Sequence, residues 1–141
     1  MELQSVHISE EGRNQLITLK TRTGIENWNV LCRWGLCVSL REDTEPHVDI
    51  TGHTGEAGVE MAWRTFAGDY PEIYMALIKQ RCKEQGREVT KKNLSDLLHR
   101  HIHRGVSYLV GDPNLQGIVG LLRKTLKKEA SSITDLARGL H

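Results

Sequence analysis

The run from Trp28 to Leu40 constrains the fold more than any other part of the chain. Trp28, Leu31, Trp34 and Val38 recur at helical spacing and form one apolar face. Val30, Cys32, Leu36, Cys37 and Leu40 extend that surface almost all the way round, with Asn29, Arg33, Gly35 and Ser39 as the interruptions. A helix that is apolar on every side has to be buried on every side. In a chain of 141 residues, part of that burial is expected to come from other subunits.

The rest of the chain is read around this helix. Residues 2–8 alternate, with Val6 and Ile8 on one face, and predict a short strand that turns Ser5 and His7 outward. Ser9 is placed to cap a helix that begins with Glu10 and Glu11, where the positive end of the helix favours acids. That helix runs to Thr23, buries Leu16 and Leu19, and stops at Gly24. Asn27 is the candidate cap of the apolar helix. A loop follows from Glu42 past Pro46. Residues 47–58, with Gly52, Gly55 and Gly58, read as an irregular exposed excursion. Residues 59–66 fit a strand or a loop equally well. Pro71 opens a third helix that runs to near Gly86, with Tyr70, Ile73, Tyr74, Leu77 and Ile78 expected inward. A fourth follows Thr90, with Leu94, Leu97, Leu98, Ile102 and Leu109 at helical spacing. Asp112-Pro113 breaks it and opens a fifth, carrying Leu115, Ile118, Val119 and Leu122. Residues 130–141 add at most a short amphipathic turn.

Composition narrows the class. Charged residues make up 26% and hydrophobic ones 38%, which is the profile of an ordinary globular protein. The length suits a single domain over residues 1–141. The start M-E-L-Q-S-V-H lacks a basic then apolar leader, and no apolar stretch approaches a bilayer span, so a cytoplasmic protein is expected. Cys32, Cys37 and Cys82 are odd in number and set among apolar residues, so they read as reduced core thiols. Residues 1–78 hold 6 Lys/Arg against 12 Asp/Glu, whereas residues 79–141 hold 13 against 6. Such an imbalance suits a polyanionic partner, although mixing of the two halves on folding accounts for it as well.

The resulting expectation is a mainly α fold: a ribbon-helix-helix-like N-terminal strand and two helices, followed by about three further helices. The segments L-K-T-R-T-G at 19–24 and N-V-L-C-R-W-G-L-C-V-S-L at 29–40 then point to a family. They resemble DndE, whose members carry L-K-x-R-T-G followed by a helix of the form L-C-R-x-x-L-C-L-S-L. V-E-M-A-W-R-T-F-A-G-D-Y at 59–70 and H-x-x-R-G-V at 101–106 are similar to the same family. The resemblance implies a small, mainly helical homo-oligomer, tetrameric, that binds double-stranded DNA and prefers nicked duplex. It implies a component of the DNA phosphorothioation (sulfur-modification) system, working beside subunits that supply the cysteine desulfurase and iron–sulfur chemistry. No cofactor and no catalytic residue are expected in this chain. Cys32 and Cys37, five apart in an apolar helix, read as packing residues rather than sulfur carriers, which need an accessible thiolate of low pKa.

The candidate DNA contacts are Lys20, Arg13, Arg22, Arg100 and Arg104. Arg13, Ile17 and Lys20 share one ridge, with Arg13 and Lys20 about 10 Å apart at 1.5 Å rise per residue. Two cations so spaced suit successive phosphates. A solvated face, with Lys20 lying over the core edge, is the plainer alternative. Lys20 lies inside the segment that carries the resemblance and comes first, whereas Arg22 points to the other flank. A second basic surface is expected on the fourth helix, where Lys92, His99, Arg100, His103 and Arg104 map outward. Ser5 and His7 lack the bidentate groups that separate bases well, so backbone and shape recognition is expected.

Other readings carry less. His99 and His103 lie one turn apart, but zinc wants a third and fourth ligand that no C-x-x-C or H-E-x-x-H supplies, so no metal is expected. His101 is expected inward as a hydrogen-bonded core histidine, with Gly105 admitting a neighbouring helix. Asp43, Glu45 and Asp49 form an acidic loop cluster that suits a divalent metal or simple solvation. A ribbon-helix-helix repressor and, behind it, a metal-dependent nickase are the alternative functions.

Overall fold

A computed structural model describes residues 2–47, 57–113, 115, 122 and 126. The element order is β1 (Ser5–Ile8), α1 (Glu10–Thr23), α2 (Trp28–Leu40), β2 (Val59–Ala62), α3 (Trp63–Ala67), α4 (Pro71–Glu84) and α5 (Lys91–Val110). The fold is mainly helical, with one two-stranded antiparallel sheet. Most of the expected fifth helix, Ile118, Val119 and the 130–141 turn lie outside the described residues, as does Asp49 of the acidic loop.

The local signals act where the sequence places them. Ser9 Oγ accepts the Gly12 amide hydrogen bond at the start of α1, and Gly24 closes the helix at φ 73° with its amide on the Lys20 carbonyl. Asn27 stands at the start of α2 without a side-chain cap bond. Thr90 caps α5 through the Asn93 amide. The ambiguous stretch 59–66 resolves into β2 and the short α3. β2 pairs with β1 in the register Val6 to Met61 and His7 to Glu60, so β1 finds its sheet partner inside the chain.

α5 is the central element, packed chiefly on α2 and also on α1, α4 and β1. The α2–α5 crossing is close because both helices present glycine. A Cβ on Gly105 would lie inside the Gly35 backbone, and one on Gly35 would stand 3.0 Å from the Val106 nitrogen. Leu31, Cys32, Leu36, Leu94, Leu97, Leu98, Ile102 and Val106 fill the core around that point, with Trp63 and Phe66 of α3 closing one end.

Two orientations differ from expectation. α4 turns Met75, Ile78 and Cys82 inward, while Tyr70, Ile73 and Leu77 are exposed, Ile73 by 56%. The inward face of α4 is set by contact with α5, so the second apolar stripe is left uncovered. His99, His103 and Arg104, expected outward, are buried. A helical wheel sorts polar from apolar side chains, and it misplaces polar groups on a helix that β1, α1, α2 and α4 surround.

Candidate nucleic-acid interface

The outer ridge of α1 is built as its spacing requires. Leu16 and Leu19 are fully buried, and this forces Arg13, Ile17 and Lys20 to the outside. Arg13 donates to the Ala57 carbonyl at 3.4 Å, a long bond that leaves most of its guanidinium available. The Lys20 ammonium is exposed and has no ion pair among the described residues. Arg22 donates to the Val110 carbonyl at 2.6 Å, pinning the end of α1 to the end of α5.

The basic residues of α5 are arranged differently. Arg100 holds Asp96 one turn back, its Nε 3.1 Å from both carboxylate oxygens. Arg87 also reaches Asp96, and it pairs closely with Glu45. Glu45 therefore serves an ion pair, and among the described residues no cluster of three His, Cys, Asp or Glu side chains is arranged to hold a metal.

Arg104 sits at the C-terminal end of α2, where carbonyls lack helical partners and the helix dipole is negative. Its Nε donates to Ser39 Oγ at 2.8 Å, and its terminal nitrogens donate to the Ser39 and Thr44 carbonyls at 2.7 and 3.0 Å. Arg81 completes the cap by donating to the Leu40 and Glu42 carbonyls at 2.6 and 2.8 Å. No basic residue stands in the last turn of α2 itself, so two guanidiniums from α4 and α5 supply its counter-charge. Ser39 Oγ accepts from Arg104 and is hydrogen-bonded to His101 Nδ1 at 2.7 Å. The imidazole is fully buried as expected. Desolvation, reinforced by Arg104 and Arg81, lowers its pKa to about 3.

The family model of the DNA sulphur modification protein DndE matches residues 5–117. The chain belongs to the DndE family. Among solved structures, DndE from Escherichia coli B7A, involved in DNA phosphorothioation modification, is similar at a TM-score of 0.61 and 19% identity, covering 77% of this chain and 99% of that one. A glycine-to-lysine double mutant of DndE gives a TM-score of 0.57 at 16% identity, covering 77% and 100%. These likenesses concern the fold. No curated protein sequence matches the chain.

Within the DndE frame, the five candidate contacts separate. Arg13 and Lys20 share an exposed ridge, as expected. Arg22 and Arg100 are exposed or half-buried and hold intramolecular partners. Arg104 is the correction: it lies at 7% exposure with its guanidinium turned into the fold, because it satisfies carbonyls at the end of α2 together with Arg81 of α4. The paired-arginine cap escaped sequence reading, since its partners stand 65 and 41 residues apart. Nothing local to the helix end, where Arg41 is the C-cap, signalled it.

The cysteines also divide. Cys32 is fully buried, and desolvation raises its thiol to about 12. Cys82 is buried too, with its thiol raised by desolvation. Cys37, expected in the core, is exposed instead. It lines an open groove of about 500 Å³ with Val30, Arg33, Trp34, Arg41 and Tyr74. Its pKa is still raised by desolvation, which outweighs Arg41 and Arg33.

Proposed function

We propose that this DndE-family chain is a non-catalytic DNA-binding component of the phosphorothioation system. It grips the duplex backbone, prefers nicked duplex, and acts as a homo-oligomer, tetrameric by family resemblance, beside other sulfur-modification subunits. The observation that carries the reading is the Arg13–Ile17–Lys20 ridge. Both cations of this ridge are exposed, and Lys20 has no ion pair among the described residues, a property it shares with Lys83, Lys91 and Lys92, whereas Arg22, Arg87, Arg100 and Arg104 hold partners within the chain. Phosphate contacts position a protein without reading bases, which suits a strand whose outward side chains are Ser5 and His7. A nick lowers the cost of bending, so a surface that follows backbone shape gains affinity there.

The cysteines support a role other than sulfur transfer. A sulfur carrier needs a thiolate, and all three thiols are pushed towards the protonated form. The uncovered apolar surfaces of α2 and α4 support assembly with further copies.

Binding of wild-type and Lys20→Ala protein to intact and nicked duplexes at two salt concentrations tests the proposal. The expected outcome is weaker binding by the variant and a salt slope shallower by about one for each protomer in contact, with an unchanged unfolding profile. Equal affinity and slope would remove Lys20 from the interface.

A further inference from the structure

β1 has one edge on β2, and the other edge is closed by two imidazoles. The His7 backbone amide donates to His99 Nε2 at 2.8 Å, and the Ser9 amide donates to His103 Nε2 at 3.1 Å. The spacing explains the fit. Residues i and i+4 of a helix are about 6 Å apart along its axis, and residues i and i+2 of a strand are separated by about 6.7 Å. Two histidines one turn apart on α5 therefore stand in for the acceptors of a third strand.

Their protonation state follows from the partners. A backbone amide can only donate, so each Nε2 carries a lone pair and each Nδ1 carries the hydrogen. Those hydrogens are used as well: His99 Nδ1 donates to the Ser95 carbonyl, and His103 Nδ1 donates to the His99 carbonyl at 2.6 Å. Gly12 of α1 closes the far side, where an added Cβ would stand 3.3 Å from His103 Nε2.

We propose that His99 and His103 form an acid-released latch on the outer edge of β1, in which proton uptake at Nε2 turns each acceptor into a donor facing a donor. The strand then loses both outer-edge bonds, and Ser9, which caps α1, loses its anchor. This release is separate from the proposed DNA contact and stands without it.

The surroundings set the direction. Among the described residues, the titratable or charged groups acting on His99 are His7 from β1, and His103 and Asp96 from α5 itself. β2 contributes Glu60, which lies 3.8 Å from His7 Nε2. α1 presents uncharged Gly12 to His103. Desolvation leads in lowering the His99 pKa from 6.5, joined by His103 and His7 and opposed by the Ser95 carbonyl and Asp96. A lowered folded-state pKa means that the released ring takes the proton more readily. The latch is therefore held above the ordinary histidine range and weakens as pH falls through it.

Amide hydrogen exchange of the full chain, followed by NMR at about pH 7.5 and about pH 5.5 and corrected for intrinsic rates, tests this. The His7 and Ser9 amides are expected to lose about tenfold or more in protection at the lower pH relative to Leu98 and Ile102, core residues of α5. The double variant His99→Gln with His103→Gln keeps an acceptor at each position but cannot titrate. It should hold the relative protection of those amides constant, and since His101 is retained in both proteins, general acid sensitivity cancels. Unchanged relative protection in the wild type, or the same loss in the double variant, would overturn the latch. Should the variant fail to fold, the nitrogen shifts of Nε2 in the wild type decide. Protonation that tracks the loss of protection supports the latch, and either change without the other overturns it.

Discussion

Arg104 shows how one residue type serves two unlike purposes within a single turn. Arg100 lies half-buried along α5 and holds Asp96, while Arg104 turns into the fold and satisfies the last carbonyls of α2. Removing a charged donor from buried carbonyls costs more than the bond itself, because those carbonyls cannot find water. Arg104→Gln should therefore lower stability by about 2–4 kcal/mol in denaturant unfolding. The fraction that remains folded should bind DNA as the wild type does. His101 adds a pH dependence of known sign. Its unfolded-state pKa is 6.5 and its folded value about 3, so the unfolded chain takes up the proton first. Stability is expected to be full above about pH 6.5 and to decline as pH falls from there towards 3, with a shallower decline in His101→Gln. The inward position of His101 was legible from its place beside Gly105. The burial of His99 and His103 was not, because their partners are backbone amides of a distant strand.

At the scale of elements, apolar spacing located helices well and oriented them less well. α1, α2, α4 and α5 begin and end within a few residues of where capping and glycine signals place them. The outward stripe on α4 was misassigned because two apolar faces competed and only one could meet α5. Tyr70, Ile73 and Leu77 stand exposed at helical spacing, and beside them Trp34 and Cys37 of α2 form a groove with Tyr74 of α4. Such a surface suits the assembly face that the proposed oligomer requires. The double variant Ile73→Glu with Leu77→Glu is expected to reduce the proposed oligomer to a smaller species by light scattering. Its helical content should be unchanged, since neither side chain lies in the core. Unaltered mass would place the subunit contact elsewhere.

The described residues form a helical core organised about α5, with one two-stranded antiparallel sheet whose strands are separated in the chain by α1 and α2. Among the described residues, no helix is long and apolar enough to cross a membrane. β1 is satisfied on both sides, by β2 and by the histidine pair. A ribbon shared between two copies would require breaking one of these edges, which weighs against a repressor-like dimer. On the proposed reading, the chain grips the backbone and leaves DNA chemistry to its partners. Supercoiled plasmid incubated with the protein and magnesium or manganese should accordingly remain supercoiled on an agarose gel. Appearance of nicked circles would favour the nickase alternative.

Local patterns were enough to specify the mainly helical class, the cap at Ser9, the helix start after Thr90, the stop at Gly24, the burial of Leu16 and Leu19, and the exposed placement of Arg13 and Lys20. Each of these depends on neighbours within one or two turns, where spacing and backbone propensity act directly. Pairing of β1 with β2, the arginine cap on α2, the imidazole edge on β1 and the exposed face of α4 required the assembled fold. The first three join groups 39 to 94 residues apart, and a polar side chain's burial depends on whether a distant donor or acceptor arrives to meet it.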